Sequence, residues 1–303
     1  MTGSQSGAPA AARGWLWIPP LLALAWGLNW PAVKLMLSVS PPFTLRAAGL
    51  AGAALLLGVA ALARGSGLLP PRAAWPGIAI SSLLNVAIFN LASAFAQLHT
   101  STSRAAVLTY VMPVITVVLA WPLLGERPTR RAWIAVALGA AGIGLLAWPA
   151  LTSGASRAGS WIGVLLPLVG ASSWAAGTLV SKRWPLEGDR LLNLAWQLVI
   201  GAAVAATGAW LAGERPPGPI PPAVLATFAF HVVIAMAAGY GLWFMLLERA
   251  DAGVSAMTTL AVPVVGVAGA MLLAGERPGA LDWPGFAAVL AGAALVMRPP
   301  AGR

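Results

Sequence analysis

Apolar runs of about 20 residues recur along the chain, separated by short segments rich in charged residues, proline and glycine. A helix of about 20 apolar residues crosses a hydrocarbon core roughly 30 Å thick. The pattern therefore predicts an all-α polytopic membrane protein with ten transmembrane helices. Their predicted bounds are 15–37, 42–63, 75–97, 102–123, 130–149, 160–181, 190–212, 222–247, 253–274 and 283–298.

The composition favours burial in lipid, because 59% of the residues are hydrophobic, 9% are charged and the mean hydropathy is +0.83. Soluble domains carry roughly a quarter charged residues. The net charge of +10 comes from basic residues scattered between apolar runs, which is typical of topology signals and not of a nucleic-acid partner. Cysteine is absent and His99 and His231 stand alone, so we expect no thiol chemistry, metal or cofactor.

Lysine and arginine also predict the orientation, because the cytoplasmic loops of membrane proteins are enriched in both. Placing the N-terminus inside puts most of these residues on the cytoplasmic side, so both termini are predicted to be cytoplasmic. The first apolar run contains Pro, Trp and Asn and lacks a small-residue cleavage site. We therefore expect it to be retained as a membrane span and not removed as a signal peptide.

An internal repeat is visible in the sequence. The tetrapeptide Gly-Glu-Arg-Pro at 125–128 recurs at 275–278, and Pro113 matches Pro263 at the same offset of 150 residues. Earlier in each half the offset is 148 residues and pairs Trp26 with Trp174. The repeats are predicted to span 15–149 and 160–298, with five helices each. Because five is odd, the second repeat must be inverted in the membrane, an arrangement typical of transporters with a solute site near the midplane.

The repeated motifs resemble the EamA-type drug/metabolite transporters over nearly the whole chain. The resemblance rests on Trp26-Gly27 with Lys34, on Pro42 with Arg46, and on Gly125-Glu126-Arg127 with its second copy. Within that family the Trp-rich chain is most similar to the bacterial YddG-type (aromatic) amino acid exporters. The resemblance implies a bacterial inner-membrane protein that exports small metabolites, above all amino acids, by alternating access. Leu194 stands where a second copy of Arg46 would fall, so any role of Arg46 has no counterpart there.

Polar and aromatic side chains at helical spacing are candidates for lining a solute cavity. In the first span Trp26, Trp30 and Lys34 share a face with Asn29 beside them, and the sixth span repeats the pattern with Trp174 and Thr178. The third span adds Asn85 and Phe89. Since an asparagine in hydrocarbon needs a hydrogen-bond partner, both asparagines should face protein or water. The alternative is that they link neighbouring helices.

Aromatic residues in the later spans extend the candidate set. Tyr110 and Tyr240 fall inside spans and, with Trp243, are expected to form a wall that attracts a ligand ammonium group by cation–π interaction. Packed core aromatics are the alternative. Prolines interrupt span interiors and free the backbone carbonyls four residues earlier, which include those of Thr109 and Thr259, so we expect kinks or hinges there. The four prolines inside spans are Pro31, Pro113, Pro167 and Pro263.

Charged residues limit the mechanism. The acidic residues fall in predicted loops or at span ends, which argues against a pump with a carboxylate at mid-membrane. Lys34 is predicted either to meet a solute carboxylate or to reach the headgroups, whereas Arg46 and Arg104 are predicted to reach the headgroups. Glu126 and Glu276 are interpreted as structural.

An intramembrane serine enzyme around Ser172–Ser173 is the alternative from another class. Small residues such as Ala48 and Gly52 allow either a compact monomer or a dimer face.

Overall fold

A computed structural model describes residues 16–152, 161–249 and 252–297, and in these segments the chain is helical without strands. We number the continuous helical stretches in chain order. They are α1 (Ile18–Met36), α2 (Pro42–Ala63), α3 (Arg72–His99), α4 (Thr102–Leu124), α5 (Arg130–Thr152), α6 (Ile162–Arg183), α7 (Arg190–Leu211), α8 (222–249), α9 (Ala252–Ala274) and α10 (Asp282–Met297). Each stretch begins and ends within about three residues of its predicted bounds, a normal uncertainty for helix ends.

Length and hydropathy identify the helices that can cross a membrane. Seven apolar helices among the described residues meet both requirements, namely α2 to α8. Parts of α9 and α10 are shorter apolar helices, at Thr258–Ala274 and Asp282–Met297. The prediction of an all-α membrane protein is confirmed, and the number of ten crossings stays a prediction.

Helix packing mixes the two halves of the chain. Helix α2 packs along α7, α5 along α10 and α1 along α9, while α6 packs against α3 and α4. Gly142 and Gly292 let α5 and α10 approach closely, since a Cβ atom on either residue would lie within 3 Å of the opposite helix. Buried side chains therefore pack between the two halves as well as within each half.

Contacts between distant segments show which helix ends meet. At one end of the bundle, which we call the Glu276 end, the Glu276 carboxylate accepts hydrogen bonds from the start of α4, and the Glu214 carboxylate accepts them from the start of α2. At the opposite end, the Glu126 end, Glu126 pairs with Lys182 near the end of α6. Since Glu126 directly follows the end of α4, Glu126 and Glu276 lie at opposite ends of that helix.

Equivalent helices of the two halves point in opposite directions. Helix α1 ends beside the start of α2, at the Glu276 end, whereas its counterpart α6 ends at Lys182, at the Glu126 end. Likewise, α4 runs towards the Glu126 end, and its counterpart α9 runs towards Glu276. The geometry matches the inversion expected from an odd number of helices per repeat.

Two π-helical segments interrupt the third helix of each half at matching positions. One covers Ser82–Ile88 in α3 and the other Phe230–Ala238 in α8, and their starts are separated by the repeat offset of 148 residues. A π-helix misaligns the backbone ladder and leaves carbonyl oxygens available for other donors. Here Ser173 Oγ donates to the Leu84 carbonyl at 2.6 Å and Trp26 Nε1 donates to the Ala235 carbonyl at 3.0 Å. The segments thereby link the halves to each other.

The repeated Gly-Glu-Arg-Pro motifs end helices, as expected. Gly125 and Gly275 have φ angles of 73° and 64°, a left-handed conformation that glycine adopts without steric cost at helix C-termini. The amides of Glu126 and Glu276 then bond back to the carbonyls of Ala120 and Ala270 at 3.3 and 3.1 Å. The same local turn therefore ends both α4 and α9, although the two glutamates then make different contacts.

Candidate functional site

A central cavity of about 170 Å³ lies between the halves, where α1, α2, α3, α4, α6, α8 and α9 meet. Its walls combine aromatic rings with a small number of polar groups, the usual composition of a small-molecule site. The lining side chains are Trp26, Asn29, Trp30, Val33, Arg46, Phe89, Asn90, Ser93, Gln97, Tyr110, Met112, Trp174, His231, Ala235, Met236, Tyr240, Trp243, Thr259 and Val262.

Aromatic rings from both halves form part of the cavity wall. The Trp26 ring meets the Tyr240 ring at 6.1 Å with an interplanar angle of 68°, and the Trp243 ring at 5.7 Å. From α3 and α6, Phe89 and Trp174 pack with their ring centres 4.7 Å apart. The indole N–H of Trp26 is fixed by its bond to the α8 backbone, which leaves the ring as an apolar surface. The cavity thus offers several π faces to a ligand.

Polar groups from α2 and α3 line another part of the wall. Arg46 is only 3% exposed, and its Nη2 donates to Ser93 Oγ at 3.1 Å. The Ser93 hydroxyl donates in turn to the Asn90 carbonyl at 2.9 Å, which fixes its orientation towards the guanidinium. Gln97 lies one helical turn beyond Ser93 and is fully buried. This arrangement places a guanidinium and an amide among the groups that line the cavity.

Asn29 and His231 form a pair that links α1 to α8. The distance from His231 Nδ1 to Asn29 Oδ1 is 2.6 Å. Since an amide oxygen only accepts, this geometry assigns the ring proton to Nδ1. The other ring nitrogen lies against Gly49, where an added Cβ would come within 2.8 Å. His231 is therefore held between α1 and α2 inside the bundle.

The structure gathers most of the predicted site residues around this cavity and leaves three elsewhere. Lys34 Nζ donates to the backbone carbonyl of Gln97 instead of lining the cavity. Asn85 Nδ2 donates to the Trp174 carbonyl at 3.1 Å, where it links α3 to α6, and exposed Thr178 bonds that same carbonyl within its own helix. The predicted residues that line the cavity are Trp26, Asn29, Trp30, Phe89, Tyr110, Trp174, Tyr240, Trp243 and Thr259.

Two interpretations of basic residues from sequence are wrong. Arg46 does not reach the headgroups, because it is buried on the cavity wall. Arg104 also turns inward, and its Nε contacts Asp282 Oδ1 at 2.6 Å in an ion pair that joins α4 to α10. Both arginines lie within the first five residues of a helix, a position that suggested an interfacial anchor. The direction in which each side chain points was not available from the sequence.

The interior prolines differ in their effect on the helices. Pro113 follows a break in α4, where Tyr110 and Val111 form a turn between the segments Thr102–Thr109 and Met112–Leu124. The break brings Tyr110 and Met112 to the cavity wall. The other three, Pro31, Pro167 and Pro263, lie inside continuous helices. A hinge role for any of these prolines stays a prediction.

The acidic side chains that the structure describes lie near helix ends and not on the cavity wall. Asp189 caps the start of α7 by accepting from the Leu192 amide at 2.8 Å. Asp282 and Glu276 bind groups at the start of α4. The cavity as described thus contains a guanidinium and no carboxylate among its lining residues.

Comparison with known proteins agrees with this architecture. A model of the EamA-like transporter family matches residues 13–148 and again residues 161–298. The uncharacterized transporter YvbV of Bacillus subtilis is 30% identical over 81% of this chain and 79% of its own length. The probable terminal-alkyne amino-acid exporter of Streptantibioticus cattleyicolor is 27% identical over 95% of each chain. A solved crystal structure superimposes with a TM-score of 0.65 over 95% of this chain and 96% of that one, and at 20% identity it supports the fold alone.

Proposed function

Because this chain belongs to the EamA-like transporter family, which both of its halves match, we propose that it exports amino acids, aromatic and other neutral ones included, through the central cavity. The proposed location is the inner membrane of a bacterial cell, with both termini in the cytoplasm. The proposed oligomeric state is a monomer surrounded by lipid, with a dimer as the alternative. The named function of the Streptantibioticus cattleyicolor relative supports an amino acid as the solute.

The proposed architecture has ten transmembrane helices in two inverted five-helix repeats, 15–149 and 160–298. The opposite directions of α1 and α6 support it, as does the location of Glu126 and Glu276 at opposite ends of α4. The helix pairs also follow a twofold relation, because the contact of α1 with α9 is matched by that of α6 with α4. Inverted repeats allow two related conformations that open to opposite sides of a fixed site.

The observation that favours an amino acid is the composition of the cavity wall. Aromatic rings from both halves surround it, and its lining residues include Arg46 but no acidic side chain. A neutral amino acid suits this wall, since aromatic faces attract an ammonium group and hold an apolar side chain.

Transport accounts for the buried residues better than catalysis does. Ser173 donates its hydroxyl hydrogen to the Leu84 carbonyl at 2.6 Å in the α3–α6 interface, and its neighbour Ser172, which stands at the serine position of the serine-enzyme alternative, is exposed on α6. Neither serine lines the cavity, and His231 bonds to Asn29 instead. The serines and His231 therefore do not form a nucleophile and base, and we assign the cavity to solute binding.

Counterflow into proteoliposomes tests the assignment. Purified protein is reconstituted with unlabelled amino acid inside, and entry of the labelled amino acid is followed across a panel of amino acids and other metabolites. We expect flux above empty vesicles for aromatic and other neutral amino acids. No flux for any amino acid would refute the proposed substrate, and flux of a different metabolite alone would replace it.

Alanine substitutions in the wall test whether this cavity is the route. Tyr110→Ala and Trp174→Ala should lower kcat/KM by at least about fivefold, because each removes a π face worth roughly 1 kcal/mol or more. Trp210→Ala is the matched control, since Trp210 is 78% exposed at the end of α7. Unchanged kcat/KM in both cavity variants, with normal amounts of folded protein, would place the route elsewhere.

A further inference from the structure

Arg46 is a buried cation that lacks a carboxylate partner among the described residues. The described residues form ion pairs between Arg104 and Asp282 and between Lys182 and Glu126, at the two ends of the bundle. The hydrogen-bond partner of Arg46 is a neutral group, the Ser93 hydroxyl. An intramembrane cation without an acidic partner is costly and marks a functional site.

Unsatisfied polar atoms beside Arg46 point to a missing ligand. Arg46 Nε is buried without a hydrogen-bond partner, and so are both Nε2 and Oε1 of Gln97. A buried donor left without an acceptor costs about 1 to 3 kcal/mol, so native structures rarely keep several in one place. Both residues line the central cavity. The two unsatisfied donors, Arg46 Nε and Gln97 Nε2, therefore call for acceptor oxygens at this wall, and Gln97 Oε1 calls for a donor.

Lys34, the other basic residue considered for binding a carboxylate, already has a hydrogen-bond partner. Lys34 donates to the backbone carbonyl of Gln97 and is absent from the cavity lining. Its bond holds the end of α3 beside the end of α1, which supports the position of Gln97. Lys34 thus contributes to the shape of this wall, while Arg46 offers its guanidinium to the cavity.

We propose that Arg46, with the Gln97 amide, binds the carboxylate of the transported amino acid, an inference that rests on the proposed function. Ser93 holds one terminal nitrogen of the guanidinium. The guanidinium keeps further N–H groups beyond this bond, Nε among them, and two N–H groups of one guanidinium edge match two oxygens of a planar carboxylate in a bidentate pair. The Gln97 amide supplies a further donor from the next turn of α3.

This assignment orients the solute in the bundle. Arg46 lies four residues into α2 and Gln97 two residues before the end of α3, so both are nearer the Glu276 end. Trp243 lies deep along α8, which starts at that same end. The carboxylate therefore points towards the Glu276 end, and the side chain and ammonium group lie among Trp26, Tyr240 and Trp243.

The wild-type protein provides the first test, which needs no substitution. Phenylalanine and its carboxamide have the same size, but only the acid can form a charge-assisted pair with Arg46. We expect kcat/KM in proteoliposomes to be about 10- to 100-fold higher for the acid, in line with hydrogen bonds between charged groups. Equal values for the acid and the amide would overturn the proposal.

Substitutions test which basic residue causes the preference for the acid over the amide. Arg46→Gln should reduce the acid-to-amide ratio towards one, and Arg46→Lys should restore part of it. Arg64→Gln, the same change at the exposed far end of α2, should keep the wild-type ratio. If Lys34→Gln removes the preference while Arg46→Gln keeps it, the carboxylate site belongs to Lys34 and the proposal is wrong. Should Arg46→Gln not fold, Gln97→Leu replaces it and should lower the ratio in part, because it removes the second proposed donor to the carboxylate; an unchanged ratio would count against the proposal.

A binding measurement distinguishes a carboxylate from other anions at this site, and its result does not depend on transport. Thermal unfolding of the purified protein with phenylacetate should show stabilisation that Arg46→Gln removes. Stabilisation by inorganic phosphate at lower concentrations than phenylacetate would overturn the carboxylate assignment in favour of a phosphate. If no amino acid is transported, the proposed function fails, and this measurement still decides the inference: a shift lost with Arg46 supports an anion site, and an unchanged shift refutes it.

Discussion

Glu276 fastens the second half of the chain to the start of α4, and its replacement by glutamine should weaken the bundle. The carboxylate accepts from the Thr102 amide at 2.6 Å, from the Ser103 amide at 3.0 Å and from Ser103 Oγ at 2.7 Å. A glutamine keeps the shape but has only one acceptor oxygen, and its NH₂ group would face a backbone N–H. At least one of these bonds is therefore lost.

The size of the effect follows from the charge. A hydrogen bond to an ionised group contributes about 1.5 to 3 kcal/mol, and a negative charge at a helix N-terminus about 0.3 to 1 kcal/mol. Glu276→Gln should therefore lower the free energy of unfolding by about 2 to 4 kcal/mol. Glu126→Gln is the matched control from the other copy of the motif. The side chains of Glu126 and Lys182 are 54% and 60% exposed, so losing their ion pair should cost about 0 to 0.5 kcal/mol.

Equilibrium unfolding in mixed detergent and dodecyl sulfate micelles, followed by tryptophan fluorescence, measures both variants under one condition. The two glutamates occupy the same position in two copies of one motif and receive the same substitution. The difference between the two variants therefore reports the different contacts of the two side chains. A difference of less than about 0.5 kcal/mol between the two variants would refute the assignment of Glu276 as a cap on the start of α4.

Two further predictions test the helix packing and the inversion. Gly142→Ala should destabilise the protein by about 1 to 3 kcal/mol, because the new Cβ would lie 2.6 Å from a Val289 methyl group, whereas Gly144→Ala, with nothing within 4 Å, should be neutral or stabilising in the same unfolding assay. Since the chain has no cysteine, Glu126→Cys and Glu276→Cys can be labelled separately with a membrane-impermeant maleimide in sealed vesicles. The two should react from opposite sides, and labelling from the same side would contradict the inversion.

Helix bounds and the repeat were predictable because each leaves a long-range periodic signal. Apolar runs bounded by Pro, Gly and charge located the helices to within about three residues, as is usual for long segments. The recurrence of Gly125 as Gly275 predicted two equivalent helix ends, which have the same backbone conformation. The π-helical segments were not predicted, since neither Ser82–Ile88 nor Phe230–Ala238 has a composition that distinguishes it from α-helix.

The site was predictable for aromatic residues and not for the guanidinium. A tryptophan inside an apolar span has few reasons to be there except packing or ligand contact, so Trp26 and Trp174 were identified from position alone. Arg46 requires knowledge of which face of α2 meets α3. That helix is rich in Ala, Gly and Leu on all sides, so the hydrophobic pattern does not indicate its buried face. Only contacts distant in sequence, such as Arg46 with Ser93, resolve its direction.

The repeats supply a symmetric frame, but the polar groups of the site are not symmetric. Arg46 corresponds to Leu194, which is buried in an apolar cluster, and Asn29 corresponds to Gly177, against which Asn85 packs. A fully symmetric cavity would present the same groups to a solute in two opposite orientations. Because the guanidinium comes from the first half alone, the proposed carboxylate site at Arg46 would give a zwitterion one preferred orientation. Introducing a second arginine by Leu194→Arg should not create a second carboxylate site, because the buried cluster around it consists of apolar residues such as Leu50 and Leu198, so the acid-to-amide ratio of kcat/KM should not rise above its wild-type value.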